Sequence, residues 1–384
     1  MGIALAFGVC RLYAKIAVGL LWFLPMDEHL KKLLNTAVSE GASDLHLTVG
    51  APPTLRIAGE LSPILEASPL SAEEIRNLVF SLVSEEQRDH LLVNKELDFS
   101  FSLAAGEAST GNESRFRVNA YHARGNLAAA FRRIPLTVPR IEELHLPQIL
   151  YEFAQLQQGF ILVTGPAGCG KSTTIASMID EICRTRAVHV ITIEDPIEYI
   201  FSHDKALVEQ REVGSDTNSW GVALRSVLRE DPDVVFIGEM RDAETISSAV
   251  TIAETGHLVF ATLHTNSAAQ SMDRIIDVFP EAQQGQIAAQ LAATLEAVVS
   301  QRLLPAIGGG LVPACEILLS TPAVKNMIRE GNTHQIDNVI TTSFEQGMVT
   351  LERALVRLVK EGRVEMDVAR RFTLKPEEFE RLMR

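Results

Sequence analysis

Between Gly159 and Asp180 the chain reads GFILVTGPAGCGKSTTIASMID. Phe160-Ile161-Leu162-Val163 has the composition of a buried strand, and Thr173 to Ile179 that of a helix. Between them, Gly165-Pro166-Ala167-Gly168-Cys169-Gly170-Lys171-Ser172 fits G-x-x-x-x-G-K-[ST] at every fixed position. Glycines let backbone N–H groups turn in around phosphate oxygens, because no Cβ blocks the approach. The helix start adds free donors and partial positive charge. Lys171 is placed to reach the β- and γ-phosphates and Ser172 to bind Mg²⁺, with Thr173 closing the candidate set for ATP.

The length of 384 residues allows two or three domains. A net charge of −14 argues against a broad nucleic-acid surface, so no nucleic-acid partner is expected. The four cysteines, Cys10, Cys169, Cys183 and Cys315, form no C-x-x-C pair and point to reduced thiols rather than a disulfide or zinc framework.

Residues 1–25 are strongly apolar but carry Arg11 and Lys15, and the stretch Ile16 to Leu24 is too short to span a bilayer. A start that overruns a natural one at Met26 ranks first among the readings. An amphipathic surface anchor comes second, and a secretory signal last for want of a cleavage site. From Met26 to Ile134, helical and strand periods mix as in a compact α+β domain. Ser71-Ala72-Glu73-Glu74 reads as a capping box, and Gly106 to Gly111 as a hairpin tip. Residues 135–147 hold three prolines and read as a linker. From Gln148 strands and helices alternate, with strands expected at Gly159–Thr164, Val188–Ile193, Val234–Ile237 and His257–Leu263. Such alternation implies a parallel sheet with crossover helices. A hairpin around Gly308-Gly309-Gly310 and helices to residue 372 close this α/β domain, leaving 373–384 as a tail.

Ligands of open α/β sheets bind at the carboxyl ends of strands. Three such ends carry chemistry. Val188 to Ile193 runs into Glu194-Asp195-Pro196-Ile197-Glu198, carboxylates suited to activating water beside a γ-phosphate. Val234 to Ile237 runs into Gly238-Glu239, where a Walker B strand usually carries Asp-Glu, so Glu239 alone is left to hold metal-bound water or polarise the nucleophile. Leu258 to Leu263 runs into His264. On expected strands of the first domain, Arg117 and Arg132 are candidates to stabilise transferring phosphate charge, although solvated arginines would look the same.

Together these motifs resemble the secretion-ATPase superfamily of type II secretion and type IV pili, and within it the PilT-type twitching-motility ATPases. The resemblance rests on GPAGCGKST at 165–173, ITIEDPIEY at 191–199, QREVGSDT at 210–217, LREDPDVVFIGEMRD at 228–242 and AETGHLVFATLHTNSA at 253–268. It implies a PAS-like N-terminal α+β domain followed by a RecA-like P-loop ATPase domain with C-terminal helices. It further implies a homohexameric ring with ATP between domains. Glu194 resembles the family's Asp-box glutamate, Glu239 its Walker B glutamate and His264 its His-box histidine. Arg117 and Arg132 resemble small-domain arginines that reach nucleotide. Which of Glu194 and Glu239 is the general base stays open.

The chain lacks the tetracysteine insertion of extension and secretion motors, and Ala323 to Glu330 resembles the C-terminal retraction motif. The resemblance therefore implies pilus retraction at the cytoplasmic face of the inner membrane. The partners would be an inner-membrane platform protein and a paralogous pilus ATPase. The alternatives are an accessory PilU-like ATPase, a pilus-extension or type II secretion ATPase and, from another class, a nucleic-acid-translocating ring.

Overall fold

The computed structural model describes residues 26–384 apart from 58, 66, 104–113 and 135–136. The readings of residues 1–25 and of the Gly106–Gly111 tip lie outside the described residues. The chain divides into two units, Met1–Leu136 and Thr137–Arg384.

The first unit runs α1 (Glu28–Ser39), β1 (Asp44–Leu47), β2 (Thr54–Ile57), β3 (Glu60–Pro63), α2 (Ala72–Phe80), α3 (Glu85–Asn94), β4 (Glu96–Leu103), β5 (Ser114–Ala123) and β6 (Asn126–Ile134). Ser71 and Glu74 cap α2 reciprocally, as the sequence pattern predicts, and Ser84 with Gln87 does the same for α3. The strands form an antiparallel sheet in the order β3-β2-β1-β6-β5-β4. Period-two alternation gives this sheet two unlike faces. Leu45, Phe131 and Val118 face a core with Leu34 of α1, Ile75 of α2 and Leu91 of α3. The other face carries a polar row, with Arg56 opposite Asp44, Asp44 opposite Arg132, Arg132 opposite Arg117 and Arg117 opposite Ser100.

The second unit opens with α4 (Ile149–Gln155), β7 (Gly159–Thr164), α5 (Lys171–Thr185), β8 (His189–Glu194), β9 (Leu207–Glu212), α6 (Trp220–Val227) and β10 (Val234–Ile237). It continues with α7 (Ala243–Glu254), β11 (Leu258–Leu263), α8 (Ala268–Asp277), α9 (Glu281–Thr294), β12 (Leu295–Pro305) and β13 (Leu311–Leu319). It closes with α10 (Pro322–Arg329), α11 (Ile336–Thr342), α12 (Leu351–Lys360), α13 (Met366–Phe372) and α14 (Pro376–Met383). The sheet order is β13-β12-β7-β11-β10-β8-β9, parallel except for the β13 edge. Every residue of β7, β10 and β11 is buried, as a sheet covered on both faces requires. Alternate strand residues supply the two cores. Phe160, Ile193 and Val235 pack toward α6 and α7, whereas Ile161, Val190 and Phe236 pack toward α4 and α5.

Two boundaries differ from the sequence reading. Within the expected linker, Ile141 and Leu146 are buried in the second unit's core, and Val138 and Leu144 pack against it. The prolines break backbone periodicity there without removing the apolar side chains. The expected tail folds as α14, where Phe379 is fully buried. Glu352 of α12, itself buried, accepts from Thr373 Oγ1, Leu374 N and Lys375 N at 3.0, 3.1 and 3.0 Å and anchors the entry to that helix. Strand β9 was not anticipated, because an edge strand tolerates the polar LVEQRE. Among the described residues, no helix is long and apolar enough to cross a membrane.

Candidate nucleotide-binding and hydrolysis site

Because β7, β11, β10 and β8 are parallel neighbours, their carboxyl ends lie along one edge of the sheet. The loop after β7 turns at once. Gly165 has φ of +145°, and a Cβ there would stand 2.4 Å from the Gln301 carbonyl oxygen and 2.6 Å from Cys169 Sγ. Only glycine fits that turn. Gly170 also has positive φ and precedes α5 with no side-chain cap, so the first N–H groups of this helix are left for a ligand.

Lys171 is mostly buried, and its Nζ donates to Gly165 O at 2.9 Å and Pro166 O at 3.1 Å. Burial lowers its pKa, with the charges of Cys169 and Glu239 opposing the shift. Nζ also lies 3.3 Å from His264 Nδ1, and His264 Nε2 lies 3.2 Å from Glu239 Oε1. An ammonium can only donate, so Nδ1 accepts and the Nε2–H is left to donate to Glu239. The structure therefore joins Lys171, His264 and Glu239 from three different strand ends. Ser172 follows Lys171 in the first turn of α5, and Thr173 Oγ1 lies 3.0 Å from the Tyr199 hydroxyl.

The two glutamates differ sharply. Glu194 is only 4% exposed. Thr192 Oγ1 donates to its Oε1 at 2.6 Å, Gln210 Nε2 to the same oxygen at 3.3 Å, and Glu198 N to Oε2 at 3.4 Å. Burial outweighs these donors and pushes its pKa up to about 7. Glu239 is half-buried and also pairs with Arg241 at 2.9 Å. Burial raises its pKa, but the Arg241 bond and the charges of Arg241, His264 and Lys171 hold it below the ordinary carboxylate value.

The residues present fit a nucleotide phosphate chain: a glycine-requiring cradle, an uncapped helix start and a buried ammonium. The Ser172 hydroxyl and the Glu239 carboxylate are the oxygen donors that could hold Mg²⁺. Among the described residues, no cluster of three or more His, Cys, Asp or Glu is placed to hold a metal. This small donor set suits Mg²⁺, which usually takes its remaining ligands from substrate phosphates and water.

Arg117 and Arg132 lie in the first unit. They are brought together as direct cross-strand partners on the polar face of its sheet, with Arg132 bonded to Asp44 at 2.9 Å and Arg117 3.9 Å from Asp98. Sequence reasoning missed the roles of Thr192 and Gln210 around Glu194. Gln210 also donates to Tyr199 O at 2.8 Å and accepts from Phe201 N at 2.9 Å, fastening the segment after Glu194 to β9. Its sequence signal was its place at the head of QREVGSDT, which carried no role by itself.

Residues 140–367 match the family model of the Type II/IV secretion system protein. The chain is 43% identical over 350 residues to the type IV pilus retraction ATPase PilT of Pseudomonas aeruginosa, covering 91% of this chain and 99% of that protein. It is 42% identical over 335 residues to the type IV pilus ATPase PilU of the same organism, covering 87% of this chain and 86% of that protein. Among solved structures, a pilus retraction motor PilT with bound ADP is similar with a TM-score of 0.83 and 45% identity, covering 91% of this chain and 98% of that one.

Proposed function

Because this chain belongs to the Type II/IV secretion system protein family and is an ATPase, we propose that its hydrolysis of ATP powers retraction of a type IV pilus. The observation that carries the reading is end-to-end similarity to a retraction ATPase, 99% of whose length is covered at 43% identity. The joined Lys171, His264 and Glu239 and the buried Glu194 support the chemistry.

The backbone N–H groups of Ala167, Gly168 and Gly170 and the ammonium of Lys171 bind and orient the β- and γ-phosphates, with Ser172 and Thr173 at the helix start. Glu194, with its pKa near neutrality, takes the proton of the attacking water as general base. Mg²⁺ held by Ser172 and Glu239 would supply neutralisation of phosphate charge. His264 keeps Glu239 and Lys171 in one hydrogen-bonded line, which fixes both groups before water is positioned. Arg117 and Arg132 complete the reading as guanidiniums that stabilise transferring phosphate charge. The working assembly is a homohexamer. It is peripheral to the cytoplasmic face of the inner membrane, turns a platform protein there and works beside a paralogous pilus ATPase.

The test has two arms. Purified residues 26–384 hydrolyse ATP, and Lys171→Ala lowers the rate about a thousandfold by removing a preorganised phosphate donor. Cells lacking the protein are hyperpiliated and non-motile. Bald cells would point to extension instead, and motile cells with reduced retraction force to an accessory role.

A further inference from the structure

Behind the phosphate loop stands β12, a strand that no motif marks. It runs parallel to β7 with Ser300 opposite Thr164, so Gln301 and Arg302 follow at the level where the loop turns away. Gln301 is 2% exposed, and both ends of its amide are engaged. Its Nε2 donates to Cys169 O at 2.7 Å, and its Oε1 accepts from Thr174 Oγ1 at 2.7 Å. One side chain thus ties the loop before Lys171 to the helix after it. The loop glycines close on the same residue: a Cβ at Gly165 would stand 2.4 Å from the Gln301 carbonyl oxygen, and one at Gly170 3.0 Å from its Nε2.

Arg302 is also buried. Its guanidinium donates to Gln301 O at 3.1 Å and to Asn266 O and Oδ1, each at 3.0 Å. All three acceptors are amide oxygens. Burying a guanidinium against neutral acceptors costs desolvation that the charges of Cys169 and Glu316 only partly offset, so stability is a poor reason for it. Its planar fork does impose fixed geometry on the segment it grips. That segment lies two residues beyond His264, which touches both Lys171 and Glu239.

We propose that Gln301 and Arg302 are paired positioning residues of the ATPase, Gln301 setting the curvature of the phosphate loop and Arg302 holding the His264 segment in register with it. The proposal rests on the nucleotide-site reading above. Gln301 acts through backbone that binds ground-state phosphate, so its loss falls on affinity. Arg302 acts through the side chain that links Lys171 to Glu239, so its loss falls on turnover.

Steady-state kinetics and ATP binding on the purified chain separate the two. Gln301→Leu keeps the volume and removes both amide bonds; KM and Kd for ATP rise about tenfold while kcat stays within about twofold. Thr174→Val removes one of the two bonds and raises KM about threefold, and it reads the same contact if Gln301→Leu fails to fold. The double variant binds no worse than Gln301→Leu alone, because the contact is shared. Arg302→Lys keeps the charge and loses the fork; kcat falls about tenfold with KM within about threefold. The proposal is overturned if Gln301→Leu and Thr174→Val lower only the melting temperature and leave KM unchanged. It is equally overturned if Arg302→Lys leaves kcat unchanged. Lys171→Ala keeps the two readings apart. Hydrolysis that survives it sinks the site itself, whereas hydrolysis that is lost while Gln301→Leu behaves as wild type sinks only the positioning role.

Discussion

Strands β8 and β10 are neighbours, each runs into a glutamate, and the two carboxylates live under opposite conditions. Glu194 is sealed beneath Thr192, Gln210 and Glu198 N, with burial as the dominant influence and a pKa near 7. Glu239 is half-buried, ion-paired to Arg241 and adjacent to His264, with a pKa below the ordinary value. A group that titrates near the working pH can accept a proton and release it again; a group held ionised makes a poor base but a steady ligand and electrostatic partner. The contrast supports the proposed division of labour, in which Glu194 would transfer the proton and Glu239 would serve metal and charge.

The largest expected effect tests the first half of that assignment. Glu194→Gln keeps the shape and hydrogen bonding of the site but cannot take a proton, so kcat falls about a thousandfold with little change in KM. Glu239→Gln has a smaller effect, a loss of about ten- to a hundredfold that raised Mg²⁺ partly restores. If the Mg²⁺ requirement shifts in the Glu194 variant and not in the Glu239 variant, the roles are reversed.

The pH profile sharpens the contrast. Glu194 has a folded pKa of about 7, so it is protonated below that pH and competent as a base above it. The rate therefore climbs as pH rises through 7, by roughly tenfold per unit on the acid side, and Glu194→Gln flattens the climb. Thr192→Val has the smallest effect. It removes a 2.6 Å donor that lowers the Glu194 pKa, so the midpoint moves to higher pH while the plateau is retained. A midpoint that stays put would mean that the rate follows some other group.

Legibility in the sequence followed the locality of the signal. Gly165 to Thr173 could be read in full because glycine, lysine and hydroxyl act there through adjacent backbone, and strands β7 and β10 matched their apolar runs. Glu194, Glu239 and His264 were visible as polar residues closing such runs. Some partners that give each its character are local, as Thr192 and Arg241 are, but others come from far along the chain: Gln210 lies 16 residues from Glu194, and His264 lies 93 from Lys171. Composition does not encode such distances. The expected linker and tail misled for a related reason. Ile141 and Phe379 announce nothing locally, and their burial depends on surfaces assembled by other segments.

The place of β12 beside β7 has a consequence for how this protein is made. Thr164 and Ser300 are hydrogen-bonded across 136 residues, so the phosphate motif leaves the ribosome long before its back wall exists. Until then β7 lacks a neighbour on that side, and its apolar run Phe160 to Val163 is left uncovered there. Parallel pairings of this span close slowly, because the entropy of the intervening loop is lost before the contacts are gained. A nascent chain that ends before β12 would carry the whole motif without the Gln301 bonds to Cys169 and Thr174.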